Sequence, residues 1–328
     1  MADTIALVGG DTLLGQEVRD VLTESALGSR LRLVAAEDEE AGKLTEIDGG
    51  ASFLAKLEPD AVEDAAAVIL AGTEKAAREV LDASPAGLVV DLIYVLEDEV
   101  DARLRAPLLP AADEQGETSG PQIAAHPASV AIALLMHSLH NAYAISRALV
   151  HVFEPASERG KAGIGELQQQ TVNLLSFQPL PKGIFDAQLS FSLLPQLGEA
   201  SATQLADIEE RIERHLATLL DRLDGPPMAS VKLIQAPVFH GYSFSVWIEF
   251  EESPSVAELE EALSAGSIDV RGAGLEPPNN VSMAGQNGIA VGAITPDRNN
   301  ANAVWIWMAA DNLRLTAENA SLILREAL

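Results

Sequence analysis

The stretch Thr4-Ile5-Ala6-Leu7-Val8-Gly9-Gly10-Asp11-Thr12-Leu13-Leu14-Gly15 decides the fold. Its first five residues read as a short buried strand. Glycines then turn the chain straight into a run with apolar residues at Leu14, Val18 and Leu22, roughly one helical turn apart. Strand, glycine turn and helix open a nucleotide-type unit, because glycines let a backbone approach a pyrophosphate at a helix N-terminus. Working outward, residues 31–36, 67–70, 88–91 and 123–125 read as further strands, with a helical stretch over 74–82 between two of them. Short apolar strands alternating with helices imply a parallel sheet covered on both faces. We therefore expect an α/β protein whose residues 1–126 form a Rossmann-like domain.

Beyond residue 126 the texture changes. Residues 128–143 read as a long apolar helix, 148–153 as a strand, and a second helix follows Gly160-Lys161-Ala162-Gly163 to about residue 175. Leu205, Ile208, Ile212, Leu216, Leu219 and Leu223 recur at spacings of three or four and mark an amphipathic helix. Extended blocks over 231–251 and 289–293 suggest an α+β domain, 127–309. Alternation in Ser243-Phe244-Ser245-Val246-Trp247-Ile248-Glu249-Phe250 gives one strand a solvated or partner-facing side. A strand over 304–309 and a helix over 315–328 end the chain.

Composition excludes several function classes. The 328 residues carry 21 Lys plus Arg against 49 Asp plus Glu, a net charge of −28, which repels nucleic acid and anionic lipid. No run of about 18 apolar residues offers a membrane span. The opening MADTIALVGG lacks a basic segment followed by an apolar one, so we expect no secretory leader and a cytoplasmic protein. With no cysteine, disulfides and thiolate metal sites are excluded. Six histidines at 126, 137, 140, 151, 215 and 240 show no metal-ligand spacing, and no metal is expected.

Several blocks, in order, resemble the aspartate-semialdehyde dehydrogenase family. VGGDTLLGQEV stands where that family has a VGATGAVGQE-like opening, and GKAGIGELQQQT is similar to its GKAG-x-EEL-x-QT block. APVFHGYS resembles VPVFRGHS, VWIEF resembles VNIEF, and VWIWMAADNLRLTAENA resembles LNLWVVADNLRKGAALNA. The resemblance implies a homodimer built through the second domain, with the C-terminal segment 310–328 returning to the first. It also implies an oxidoreductase ancestry with NADP as cofactor.

The same resemblance marks where this chain departs. Ala125-His126-Pro127-Ala128-Ser129-Val130-Ala131-Ile132 aligns with A-N-P-N-C-S-T-I, so Ser129 stands at the cysteine nucleophile and Ala128 at the asparagine before it. A serine needs a neighbouring base and an oxyanion site to attack a carbonyl. At a helix start it reads more simply as a cap. The family's base histidine becomes Tyr242, whose hydroxyl ionises near ~10, against near neutrality for histidine. His240, two residues earlier on an expected common strand face, is the substitute base to weigh. The substrate-anchoring arginine becomes Gln235, and the glutamine after the second domain's first strand becomes Glu154. The phosphate-binding arginine is missing from Asp91-Leu92-Ile93-Tyr94-Val95-Leu96-Glu97.

For the cofactor, Gly9, Thr12, Leu13 and Gly15 are the remaining turn residues. Thr12 replaces a glycine, and its side chain is expected to crowd the phosphates, beside the charge of Asp11. Glu37-Asp38-Glu39-Glu40 would repel a 2′-phosphate, so NAD is favoured over NADP. These replacements lead to a family member that does not interconvert semialdehyde and aspartyl phosphate, a homodimer with a regulatory or scaffolding role, including heterodimers with an active relative. The alternatives are an NAD(P)-dependent oxidoreductase of changed substrate, a hydrolase using Ser129 with His240, or a nucleotide-binding module.

Overall fold

The computed structural model describes residues 4–47, 50–110, 120–223, 225–266 and 268–328. The chain divides into two compact units, Met1–Ala125 with Thr316–Leu328, and His126–Leu315.

The first unit has strands β1 (Ile5–Val8), β2 (Leu31–Val34), β3 (Leu44–Ile47), β4 (Gly50–Phe53), β5 (Ala67–Leu70), β6 (Leu88–Asp91), β7 (Arg103–Arg105) and β8 (Gln122–Ala124). Six of them form one parallel sheet in the order β2-β1-β5-β6-β8-β7. Helices α1 (Leu13–Thr23), α2 (Pro59–Val62) and α3 (Glu74–Asp82) connect them. Every residue of β1 and β5 is buried, as unbroken apolar strands inside a parallel sheet must be. Ile5, Leu7, Leu33 and Ile69 pack on one face against Val18 and Leu22 of α1. Ala6, Val8, Val68 and Leu70 pack on the other against Ala76, Ala77 and Val80 of α3. The antiparallel pair β3–β4 and the edge strand β7 were not expected, because their exposed or half-buried, partly polar residues lack the unbroken apolar run that marks the buried strands.

The second unit holds α4 (Pro127–His140), β9 (Ile145–Glu154), α5 (Gly160–Leu175), α6 (Leu205–Arg222), β10 (Ser230–Gln235), β11 (Tyr242–Phe250), α7 (Val256–Ser264), β12 (Asp269–Arg271), β13 (Ala290–Pro296), β14 (Ala303–Ala310) and the start of α8 (Asn312–Ala327). Its mixed sheet runs β10-β9-β11-β14-β13-β12. Ala317, Ala320, Ile323 and Leu324 of α8 complete the core of the first unit. The C-terminal helix thus returns to the nucleotide-type domain.

One expected element is corrected. The extended block 231–251 is two strands, β10 and β11, which pair with β9 in parallel and antiparallel senses respectively. Pro237 lacks a backbone donor and Gly241 takes φ +79°, so the chain turns between them. His240 therefore lies outside β11 and does not share a strand face with Tyr242. Helix α7 was missed although its start is legible: Ser255 and Glu258 form a capping box.

Candidate functional site

The glycine turn of the first unit is built for closeness. A Cβ on Gly15 would stand 2.0 Å from the Gly9 carbonyl oxygen, and one on Gly9, itself at φ +91°, 2.4 Å from Gly72 Cα. Leu13 is the first residue of α1 and Thr12 is its N-cap. The Thr12 hydroxyl accepts from Gly15 N at 2.9 Å and donates between the carbonyls of Gly9 at 2.9 Å and Ala71 at 2.8 Å. That hydroxyl is committed to the turn, a role a glycine could not fill. Asp11 Oδ1 accepts from Ala36 N at 2.9 Å, just past the end of β2.

The charges around the turn bear on the choice between NAD and NADP. The Asp11 carboxylate reaches the strand end beside Glu37, Asp38 and Glu39, which line a cavity of about 150 Å³ with Lys75 and Glu79. Anions gathered at that point oppose a 2′-phosphate. In the same unit, residues 91–96 close on their own acid. Asp91 accepts from the amides of Ile93 and Tyr94, both at 2.9 Å, and of Leu96 at 2.8 Å. Burial nonetheless pushes its carboxyl above the usual range, with these bonds opposing.

In the second unit the ends of β9 and β10 and the start of β11 bring Glu154, Gln235 and Tyr242 to one end of the sheet. All three are fully buried. Glu154 Oε2 accepts from Arg159 Nη2 at 3.0 Å. Gln235 Nε2 donates to the Glu154 backbone carbonyl at 2.8 Å. The buried Tyr242 hydroxyl lies beside Glu158 and acts to lower its carboxyl, and Glu158 accepts from Asn312 Nδ2 at 2.7 Å. Asn312 Oδ1 in turn accepts from Gly241 N at 3.1 Å and Ser157 Oγ at 3.2 Å. Burial pushes the Glu154 carboxyl up to about 7 against the pull of Arg159, and raises Glu158 as well.

Ser129 is not a cap, which corrects the simpler expectation. Pro127 takes the first helical position, where its missing N–H costs nothing, and His126 becomes the N-cap, its Nδ1 accepting from Ala128 N at 3.2 Å. Ser129 falls inside the first turn, fully buried, with its hydroxyl donating to the Ile212 carbonyl of α6 at 2.8 Å. His126 N donates to His215 Nδ1 at 3.0 Å, and its ring lies 6.3 Å from that of Tyr242. His240 is held by its own carbonyl, which accepts from Asn280 Nδ2 at 3.0 Å.

Sequence reasoning missed three members of this cluster: Glu158, Arg159 and Asn312. Arg159 directly precedes the GKAG block and Asn312 sits in ADNLR, so both lie in or beside blocks that carry the family resemblance. Their burial against Glu154 and Tyr242 had no sequence signal. Chemically, the cluster offers a guanidinium already bound to a carboxylate, a buried phenol beside a second carboxylate, and an amide bound to backbone. Among the described residues no group of acids and histidines could hold a metal ion.

Comparisons with known proteins place this arrangement. The family model described as "Semialdehyde dehydrogenase, dimerisation domain" matches residues 136–315. The chain is similar to an aspartate-semialdehyde dehydrogenase of Rickettsia bellii, 29% identical over 61% of this chain and 59% of that protein. It is 35% identical to a USG-1 protein homolog of Pseudomonas aeruginosa over 52% of this chain and 51% of that protein. These matches span only between half and three fifths of either curated relative. A solved structure of a probable aspartate-semialdehyde dehydrogenase from Pseudomonas aeruginosa superposes with TM-score 0.86 at 25% identity, covering 98% of this chain and 97% of that one. Two sheets of matching topology and a family model that covers more than half the residues lead to one conclusion: the chain belongs to the semialdehyde dehydrogenase family.

Proposed function

We propose that this protein keeps the fold and subunit contacts of its family without the family's reaction, and acts as a dimeric regulatory or scaffolding member. The observation that carries this reading is that the residues aligned with the family's catalytic positions are buried and engaged by structural partners. Ser129 is bonded to the Ile212 carbonyl and Gln235 to the Glu154 carbonyl, and Tyr242 is buried beside Glu158. A nucleophile needs a base that takes its proton, and a carboxylate substrate needs an uncommitted cation. The cofactor turn supports the same reading, since its carboxylates oppose NADP more strongly than NAD. Turnover of aspartate semialdehyde tests the proposal; product formed faster than without enzyme would remove it.

The dimer part of the proposal rests on the second domain, 127–309, and on the outer face of its sheet. Leu149, Trp247 and Trp305 stand in direct register across β9, β11 and β14. Both indoles donate to Asp297 Oδ2, at 2.8 Å and 3.2 Å, which fixes them on that face. Leu194 bridges Gln235 at the sheet edge, and its neighbour Leu193 is exposed, as are Phe191 and Phe177 nearby in sequence. An apolar row of this kind on the outer face of a sheet is where a protein contact is expected. Trp305→Asp would put an unpaired charge at its centre. We expect the parent to sediment as a dimer and the variant as a folded monomer, with affinity weakened at least ~30-fold, as for loss of a central aromatic anchor. A parent that sediments as a monomer at all concentrations would remove the dimer proposal.

A further inference from the structure

We propose that Glu154 is carried as a neutral carboxylic acid in the folded protein and donates its proton to the side-chain carbonyl of Gln235. The inference goes beyond the non-catalytic reading and does not depend on it. Strands β9 and β10 run parallel with Glu154 and Gln235 in register, which sets the two side chains beside each other on the buried face. The Gln235 amide nitrogen is directed to the Glu154 backbone carbonyl, so its oxygen is turned into the cluster. Glu154 Oε2 is engaged by Arg159, while Glu154 Oε1 and Gln235 Oε1 are both buried without a donor. Two buried acceptors left over on side chains in register are an unstable arrangement, and a single proton on Glu154 Oε1 converts one of them into a donor for the other.

The charges around the pair demand the same proton. Glu154 meets Glu158 and Arg159 from the turn after β9, and Glu158 in turn meets Tyr242 at the start of β11 and Asp311 and Asn312 where α8 begins. Of the charged groups that act on Glu154 or Glu158, Arg159 alone is cationic. Three carboxyl groups thus share one guanidinium, and like charges so placed cannot all ionise. Burial supports this by holding Glu154 near neutrality, at about 7 against an ordinary 4.5. The folded protein therefore keeps a proton that the unfolded chain releases between those two values. Stability from this group is greatest at low pH, falls as pH rises across that window, and levels off above it.

The test is equilibrium urea unfolding of the full chain and of Glu154→Gln between pH 5 and pH 8. Gln keeps a donor for Gln235 and cannot ionise. The unfolding constant of the parent, relative to the variant, should grow on the order of 70-fold from pH 5 to pH 8, from the shift between 4.5 and about 7. A ratio that stays constant with pH would overturn the proposal. Infrared spectra of the unsubstituted protein give a second readout that needs no variant to fold. A protonated carboxyl band at pH 6 should vanish by pH 9, and move to higher frequency in Gln235→Leu. No such band at pH 6, or a band indifferent to Gln235→Leu, would also overturn it.

Discussion

Ser129→Cys is expected to leave the protein without semialdehyde dehydrogenase turnover, although it restores the atom whose loss is most visible in the sequence. The thiol would replace a hydroxyl that is fully buried and donates to the Ile212 carbonyl, so it would point into the contact of α4 with α6. Burial in apolar surroundings raises a thiol's ionisation and suppresses the thiolate that must attack. No base waits beside it in the family's position: Tyr242 stands there, buried beside Glu158. General acid–base help alone contributes ~10²–10⁴-fold to such reactions. The anchor is missing too, since Arg159 is bound to Glu154 and Gln235 carries no charge. A steady-state assay of the variant should stay at the no-enzyme rate. Turnover recovered by this one change would mean that the rest of the site is intact and only the nucleophile is lost.

Arg159→Ala is expected to be the most damaging single change in the second unit. It would leave Glu154, fully buried, without its one side-chain donor, and remove the cation that also acts on Glu158. At pH 8, above the raised Glu154 value of about 7, taking the cation from this buried pair costs roughly 3–5 kcal/mol. The loss should depend on pH in a definite sense. With Arg159 gone, the pull that lowers the Glu154 carboxyl is removed, so burial carries it above its present value of about 7. Protonation then relieves the damage at pH 5.5, while at pH 8 the carboxylate must either ionise in the interior or hold its proton at a cost. Thermal unfolding should thus show a larger deficit at pH 8 than at pH 5.5. An equal deficit at both would mean that Arg159 acts by packing alone.

Much of the first unit was legible because its signals are local. The run from Thr4 to Gly15 contains a strand, a turn that only glycine can make at Gly9 and Gly15, and a helix whose cap is written as Thr12. Helix α6 was equally plain, since Leu205, Ile208, Ile212, Leu216 and Leu219 all point into the core. The family blocks located Ser129, Gln235, Glu154 and Tyr242 by number. They did not reveal what those side chains touch. The Ser129 bond spans 83 positions in the chain and the Gln235 bond 81, and no periodicity records a contact at that range. Even the cap of α4 was misplaced by three residues, because Pro127 moves the helix start to a histidine, an uncommon capping side chain.

The same limit applies to Asp11 and Thr12. As letters they were a charge and a bulk in a phosphate turn. In the folded chain the Thr12 hydroxyl is a structural link to Ala71, and Asp11 holds the amide of Ala36. Both are bonds across the sheet between neighbouring strand ends. Side chains that read as obstacles to a ligand are bonded into the turn itself.

The proposed loss of the family reaction rests on Ser129, Gln235 and Tyr242 being buried and held by structural partners. A steady-state assay of the purified, unsubstituted protein tests that most directly, with aspartate semialdehyde, phosphate, and NADP or NAD supplied in turn while reduced cofactor is followed by absorbance. The predicted result is a rate indistinguishable from the no-enzyme control with either cofactor. A protein-dependent rate that saturates with aspartate semialdehyde would contradict it.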